Sequence, residues 1–129
     1  MIKGVWVLPT KQSGKDVMKE INMWEVSKSD WKLFREKIAG WQEHYMEKLA
    51  QDYTALLTDE SKPASAKFWE LEKRIKADKK RPGVLIRLDK AEVKRDIVLL
   101  LRDGAITMDD LQDFSDDLKE TVAYIVEKW

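Results

Sequence analysis

The stretch WKLFREKIAGWQEHYMEKLAQDYTAL, residues 31–56, decides the fold of this chain. Its large apolar side chains recur every three or four residues, which places them along one face of an α-helix. They are Trp31, Phe34, Ile38, Trp41, Tyr45, Leu49, Tyr53 and Leu56. Ser27 and Ser29 offer N-caps just before this face, and Gly40 weakens its middle. The pattern predicts one helix over residues 30–57, roughly 40 Å long at about 1.5 Å per residue.

The residues that follow predict a second helix and a short extended segment. The helix begins near Ser65 and ends before Pro82. Its apolar positions are Phe68, Leu71 and Ile75. Residues 84–88 are apolar and extended in character, and residues 5–8 are a similar short run. These two runs could pair as a minor two-stranded ribbon.

Two capping patterns mark the last two helices. Asp89 with Glu92 makes a capping-box-like start for a third helix, which Gly104 ends. Thr107 with Asp110 caps a fourth helix in the same way. The third helix has the apolar face Val93, Ile97, Leu100 and Leu101, and the fourth has Leu111, Phe114, Leu118, Val122, Ile125 and Trp129. With a further short helix over residues 15–25, the sequence predicts a small all-α bundle of about four helices, one of them long.

Composition limits the class of protein. The 129 residues make one domain, with 43% hydrophobic and 37% charged residues and a mean hydropathy of -0.53, as in a soluble globular protein. The longest apolar run, residues 97–101, is far shorter than the roughly 20 residues that cross a bilayer, so we expect no membrane contact. The absence of cysteine excludes disulfides and thiolate catalysis and favours a cytoplasmic location.

Four segments carry a resemblance to a known family: residues 31–43, 67–74, 82–84 and 106–120. They resemble a family of small uncharacterised proteins of Gram-positive bacteria, some of which are automatically labelled multidrug transporter. The resemblance covers roughly residues 29–126, which implies a family-like core and an N-terminal extension over residues 1–26. It implies no activity, substrate or catalytic residue. We therefore expect the chain to fold cooperatively when residues 1–26 are deleted.

Charge is distributed unevenly although the net charge is zero. Residues 61–102 carry 13 basic and 6 acidic side chains, whereas residues 103–129 carry 2 basic and 8 acidic ones. These two blocks could meet within one chain, meet head to tail between subunits, or serve two separate partners. Contact between neighbouring helices of one chain is the simplest of the three.

The basic block contains a dense cluster that is a candidate nucleic-acid surface. It comprises Lys73, Arg74, Lys76, Lys79, Lys80 and Arg81. Glu70, Glu72 and Asp78 dilute it, and the pI of 6.6 is well below that of a typical nucleic-acid-binding domain. The pattern is therefore more typical of a solvated helix face, or of one that faces the acidic fourth helix. A nucleic-acid-associated accessory protein is the alternative prediction.

The acidic block offers a candidate Ca²⁺ or Mg²⁺ site, since oxygen ligands suit both ions. Its members are Asp109, Asp110, Asp113, Asp116 and Asp117. Their spacing does not match an EF-hand loop, and carboxylates near a helix N-terminus are favoured without any metal. His44 is the single histidine and could share a metal only with Glu47, which is too few ligands. We predict no metal, no cofactor and no catalytic residue, and hence no enzyme.

The aromatic content points to protein contacts. There are six tryptophans, and Phe68 and Trp69 are adjacent, so they point about 100° apart on a helix and cannot both enter one core. One of them should be partly exposed, as in a protein interface. The sequence thus predicts a cytoplasmic, non-enzymatic protein-interaction or self-associating module, most simply a homodimer.

Overall fold

The computed structural model describes residues 23–128 and the backbone of Val7–Leu8. Its helices are α1 (Lys28–Leu57), α2 (Ala64–Asp78), α3 (Val93–Arg102) and α4 (Asp116–Lys128). The strands β1 (Val7–Leu8) and β2 (Ile86–Arg87) pair in parallel, with Val7 opposite Ile86. The fold is therefore the predicted small all-α fold with one long helix, and the ribbon is two residue pairs long. Most of the helix predicted over residues 15–25 lies outside the described residues.

The long helix α1 forms as the apolar spacing predicts. The Ser27 hydroxyl accepts a hydrogen bond from the Asp30 backbone N–H at 3.1 Å and caps its start. Gly40 is exposed on its outer side and does not interrupt it. The Trp41 ring lies between Phe34 and Phe114, at centroid distances of 6.1 and 6.2 Å.

The core lies where the N-terminal two-thirds of α1 meets α3 and α4. Its fully buried apolar side chains are Phe34, Ile38, Val93, Ile97, Val98, Leu100, Leu111, Leu118 and Val122. All of them except Val98 belong to the apolar faces that the sequence predicts. Gly104, with a φ of 77°, ends α3 in the left-handed conformation that glycine adopts without steric cost.

The predicted start of the fourth helix was wrong. The capping box at Thr107 and Asp110 is present, with the Thr107 N–H donating to Asp110 Oδ2 at 2.7 Å, but it opens only a 3₁₀ turn over Met108–Leu111. The helix itself begins at Asp116, where the Leu118 N–H donates to the Ser115 hydroxyl at 3.2 Å. A second cap further along the chain therefore sets the helix start.

The segment before α1 packs on the core. Val26 is buried within the core cluster, and Trp24 packs against it. The Met23 carbonyl accepts a hydrogen bond from Lys94 Nζ at 2.6 Å. The boundary at residue 26 that the family resemblance implies thus falls inside a packed region.

Candidate interaction surface

Helix α2 stands apart from the core. It follows α1 after a polar turn over residues 58–63, and this helix, described in full, has no buried residue. Two polar contacts hold its ends to α1: Lys67 Nζ donates to the Leu57 carbonyl at 3.1 Å, and the Tyr53 hydroxyl donates to Asp78 Oδ2. Since no α2 side chain is fully buried, the side of α2 that faces away from α1 is exposed to solvent.

Phe68 and Trp69 are both exposed on α2. Their exposed fractions are 60% and 64%, and their rings touch edge to face at a centroid distance of 5.0 Å. The sequence predicted that one of the two rings would be partly exposed. Both are exposed, because they pack against each other and not against the core. We call the exposed side of α2 that carries these rings, together with Glu72, Lys73 and Lys76, the α2 surface.

A separate apolar groove lies between α1 and the C-terminal end of α2. It has a volume of about 260 Å³, and its lining includes Met46, Leu49, Ile75 and Val84. Tyr53 and Asp78 lie at its edge. Burial and the hydrogen bond to Asp78 raise the pKa of Tyr53 well above its usual value, so this hydroxyl remains a proton donor at neutral pH.

The basic cluster is only partly free. On α2, Arg74 pairs with Glu70 at 3.0 Å and Lys76 with Glu72 at 3.6 Å, both four residues apart on the helix. Arg81, which lies beyond the end of the helix, pairs with Asp103. The remaining cluster members make no ion pair with any described residue; they are Lys73, Lys79 and Lys80.

Two ion pairs join the basic and acidic blocks within one chain. The Arg81 guanidinium donates two hydrogen bonds of 2.8 Å to the Asp103 carboxylate. Lys94 is 1% exposed, and its Nζ donates to Asp117 Oδ2 at 3.0 Å as well as to the Met23 carbonyl. For these two pairs, the basic and acidic blocks therefore meet within one chain, as in the simplest of the three alternatives. Lys94 has a structural role, because hydrogen-bond acceptors surround its ammonium group.

The acidic patch does not gather around one point. Asp110 belongs to the capping box, Asp116 pairs with Lys119 at 3.6 Å, and Asp117 binds Lys94. The other two members of the patch, Asp109 and Asp113, are exposed. Within residues 23–128, no three acidic or histidine side chains are placed to hold a metal ion together, and His44 is exposed on α1.

One titratable residue was missed by the sequence reasoning. Asp96, in the first turn of α3, borders a cleft of about 380 Å³ that also contains Lys80 and Arg87. Burial, reinforced by the nearby Glu92 carboxylate, raises the pKa of Asp96 from 3.8 to about 8. No local pattern marks this residue, because its burial depends on the segment that packs beside α3.

No protein-family model, curated protein or solved structure matches this chain. The resemblance to small proteins of Gram-positive bacteria therefore stays a prediction. In the part of the chain that the structure describes, every helix is too short or too polar to cross a membrane.

Proposed function

We propose that this protein is a non-enzymatic binding module that acts through protein contacts and uses the α2 surface as its contact face. The observation that carries the proposal is the joint exposure of Phe68 and Trp69 on a helix that contributes nothing to the core. Aromatic rings beside charged side chains are enriched among the residues that anchor protein interfaces. Isolated exposed rings are ordinary, but two rings in edge-to-face contact form one continuous apolar patch.

The roles of the polar side chains favour binding over catalysis. Tyr53 and Asp78 hold α2 to α1, and Lys94 joins α3 to α4. Each of these groups is engaged in a hydrogen bond that joins two helices. In keeping with this assignment, we propose a cytoplasmic protein without a metal or cofactor.

A nucleic-acid partner remains the alternative, and its support is weaker. Of the six cations in the basic cluster, Arg74, Lys76 and Arg81 are engaged in ion pairs. Each of these pairs places a carboxylate beside the cation, which lowers the attraction for phosphate.

Site-specific photocrosslinking in the native host tests the proposal. A benzophenone amino acid is placed at position 69 of the full chain and, as a matched control, at position 124. Tyr124 is also an exposed helical aromatic residue, at 56%, and lies on α4. We expect protein adducts from position 69 and few from position 124. Equal adducts at both positions, no adducts, or adducts with nucleic acid from position 69 would overturn the proposal.

A further inference from the structure

The outer side of α2 has a definite composition. At about 100° per residue, Lys67, Leu71 and Asp78 share one side of the helix, and all three are partly buried toward α1. The opposite side presents Trp69, Glu72, Lys73 and Lys76, all exposed, and the exposed Lys80 follows in the turn after the helix. This exposed row runs along the middle of the helix and into the turn that follows it.

Charge along α2 is ordered from one end to the other. The exposed row begins with Trp69, whose ring touches that of Phe68, and continues with the carboxylate Glu72. Toward the C-terminal end the outer side carries cations, Lys73 and Lys76 within the helix and Lys80 two residues beyond its end. An antiparallel copy of α2 would set its cations against the rings and carboxylates of the first, whereas a parallel copy would set cations against cations.

We propose that the partner of the α2 surface is a second copy of this chain, with the two α2 helices antiparallel, so that Trp69 and Glu72 of each copy meet Lys76 and Lys80 of the other. This inference rests on the proposed function and names its partner. The arrangement is two-fold symmetric, so each favourable contact occurs twice. The rings supply buried apolar area, and a lysine over the indole face adds a cation–π contact.

Charge reversal tests the orientation. One variant carries Glu72→Lys, which leaves only cations beside Trp69 in the row. The other carries Lys76→Glu with Lys80→Glu, which replaces the cations at the C-terminal end of the row by carboxylates. In the antiparallel pair, each variant alone sets like charges against each other twice, so we expect dimerisation to weaken on the order of tenfold. Mixed together, the two variants restore opposite charges at every contact and should form a heterodimer.

Sedimentation equilibrium at low salt and about 50 µM protein, above the Kd of a micromolar interface, measures these outcomes. Matched controls are Glu36→Lys and Lys32→Glu on α1, since this pair has the same four-residue spacing. The two side chains, Lys32 and Glu36, are 72% and 58% exposed, against 72% and 49% for Lys76 and Glu72. The controls should dimerise like the wild type, and circular dichroism should show equal helix content in all variants.

Three results would overturn the inference: a wild type that sediments at the monomer mass of 15.2 kDa, single variants that dimerise normally, or a mixture that stays monomeric. The crosslinking experiment distinguishes failure of the second-copy inference from failure of the proposed function. Adducts from position 69 with a different protein, combined with a monomeric wild type, would keep the binding surface and reject the second copy. A monomer without adducts would reject both.

Discussion

The carboxylate of Asp30 accepts two hydrogen bonds from Ser115, one from its backbone N–H at 2.9 Å and one from its hydroxyl at 2.5 Å. Asp30 lies in the first turn of α1 and is buried, and Ser115 caps the start of α4. One carboxylate thus lies at the N-terminal ends of two helices, where the helix dipoles favour negative charge. The contact fixes the start of α4 against α1.

Replacement of Asp30 tests this contact. Asp30→Ala leaves the Ser115 N–H without its acceptor and removes a charge-assisted pair of hydrogen bonds. We expect the free energy of unfolding to fall by about 2–4 kcal/mol. Urea denaturation measures it, with the exposed Asp113→Ala as a control that should change stability by less than about 0.5 kcal/mol. Equal effects of the two variants would contradict the assigned role of Asp30.

Truncation tests whether the last residues before α1 belong to the core. A chain that starts at residue 27 lacks the buried Val26 and the Met23 carbonyl that binds Lys94. A chain that starts at residue 23 keeps both, so the difference between the two isolates residues 23–26. We expect the shorter chain to be less stable by about 2–4 kcal/mol in thermal unfolding, because it loses a core side chain and a bond to a buried cation. Equal midpoints would support a family-like core that folds without these residues.

Two glycines should respond in opposite directions to alanine. A Cβ on Gly83 would overlap the ring of the buried Tyr45, and the hydrogen bond from Gln42 Nε2 to the Pro82 carbonyl holds this segment in place. Gly83→Ala should therefore cost about 1–3 kcal/mol. Gly40→Ala has free space and should stabilise α1 by about 0.5–1 kcal/mol. Urea denaturation of both variants checks the signs, and a neutral Gly83→Ala would argue against close packing on Tyr45.

Asp96 should make stability depend on pH. Its pKa is raised to about 8 in the folded chain, so the folded state favours the protonated carboxyl. This contribution is fully present below the unfolded pKa near 4 and is lost as the pH rises toward about 8. Asp96→Asn, which stays neutral, should be more stable than the wild type at pH 8, by on the order of 3 kcal/mol, and similar at about pH 4.

Urea denaturation across this pH range measures the Asp96 effect. Asp113→Asn, a change at an exposed carboxylate, is the matched control and should follow the wild type at every pH. A constant difference between the Asp96→Asn variant and the wild type would show that burial does not control the ionisation of Asp96.

Local patterns along the chain were enough to predict much of the fold. The spacing of Phe34 and Ile38 predicts α1, and Gly104 ends α3. The capping box of Thr107 and Asp110 is also present, although it opens a 3₁₀ turn and not the fourth helix. Each of these features depends on residues within one or two turns of each other. The sequence also indicated Phe68 and Trp69 as surface candidates, because adjacent helical residues cannot share one core.

The tertiary structure decided what depends on distant partners. Ser115 sets the start of α4 through a carboxylate 85 positions earlier, and Lys94 becomes a buried cation because Met23 and Asp117 supply its acceptors. The exposure of both rings on α2 likewise follows from α2 being held to α1 at its ends rather than packed on the core. The sequence by itself determined the helices and their apolar faces, since these follow from local spacing and caps. Only the fold decided which polar groups are buried and which apolar face is left open, because burial depends on segments that are far apart in the chain.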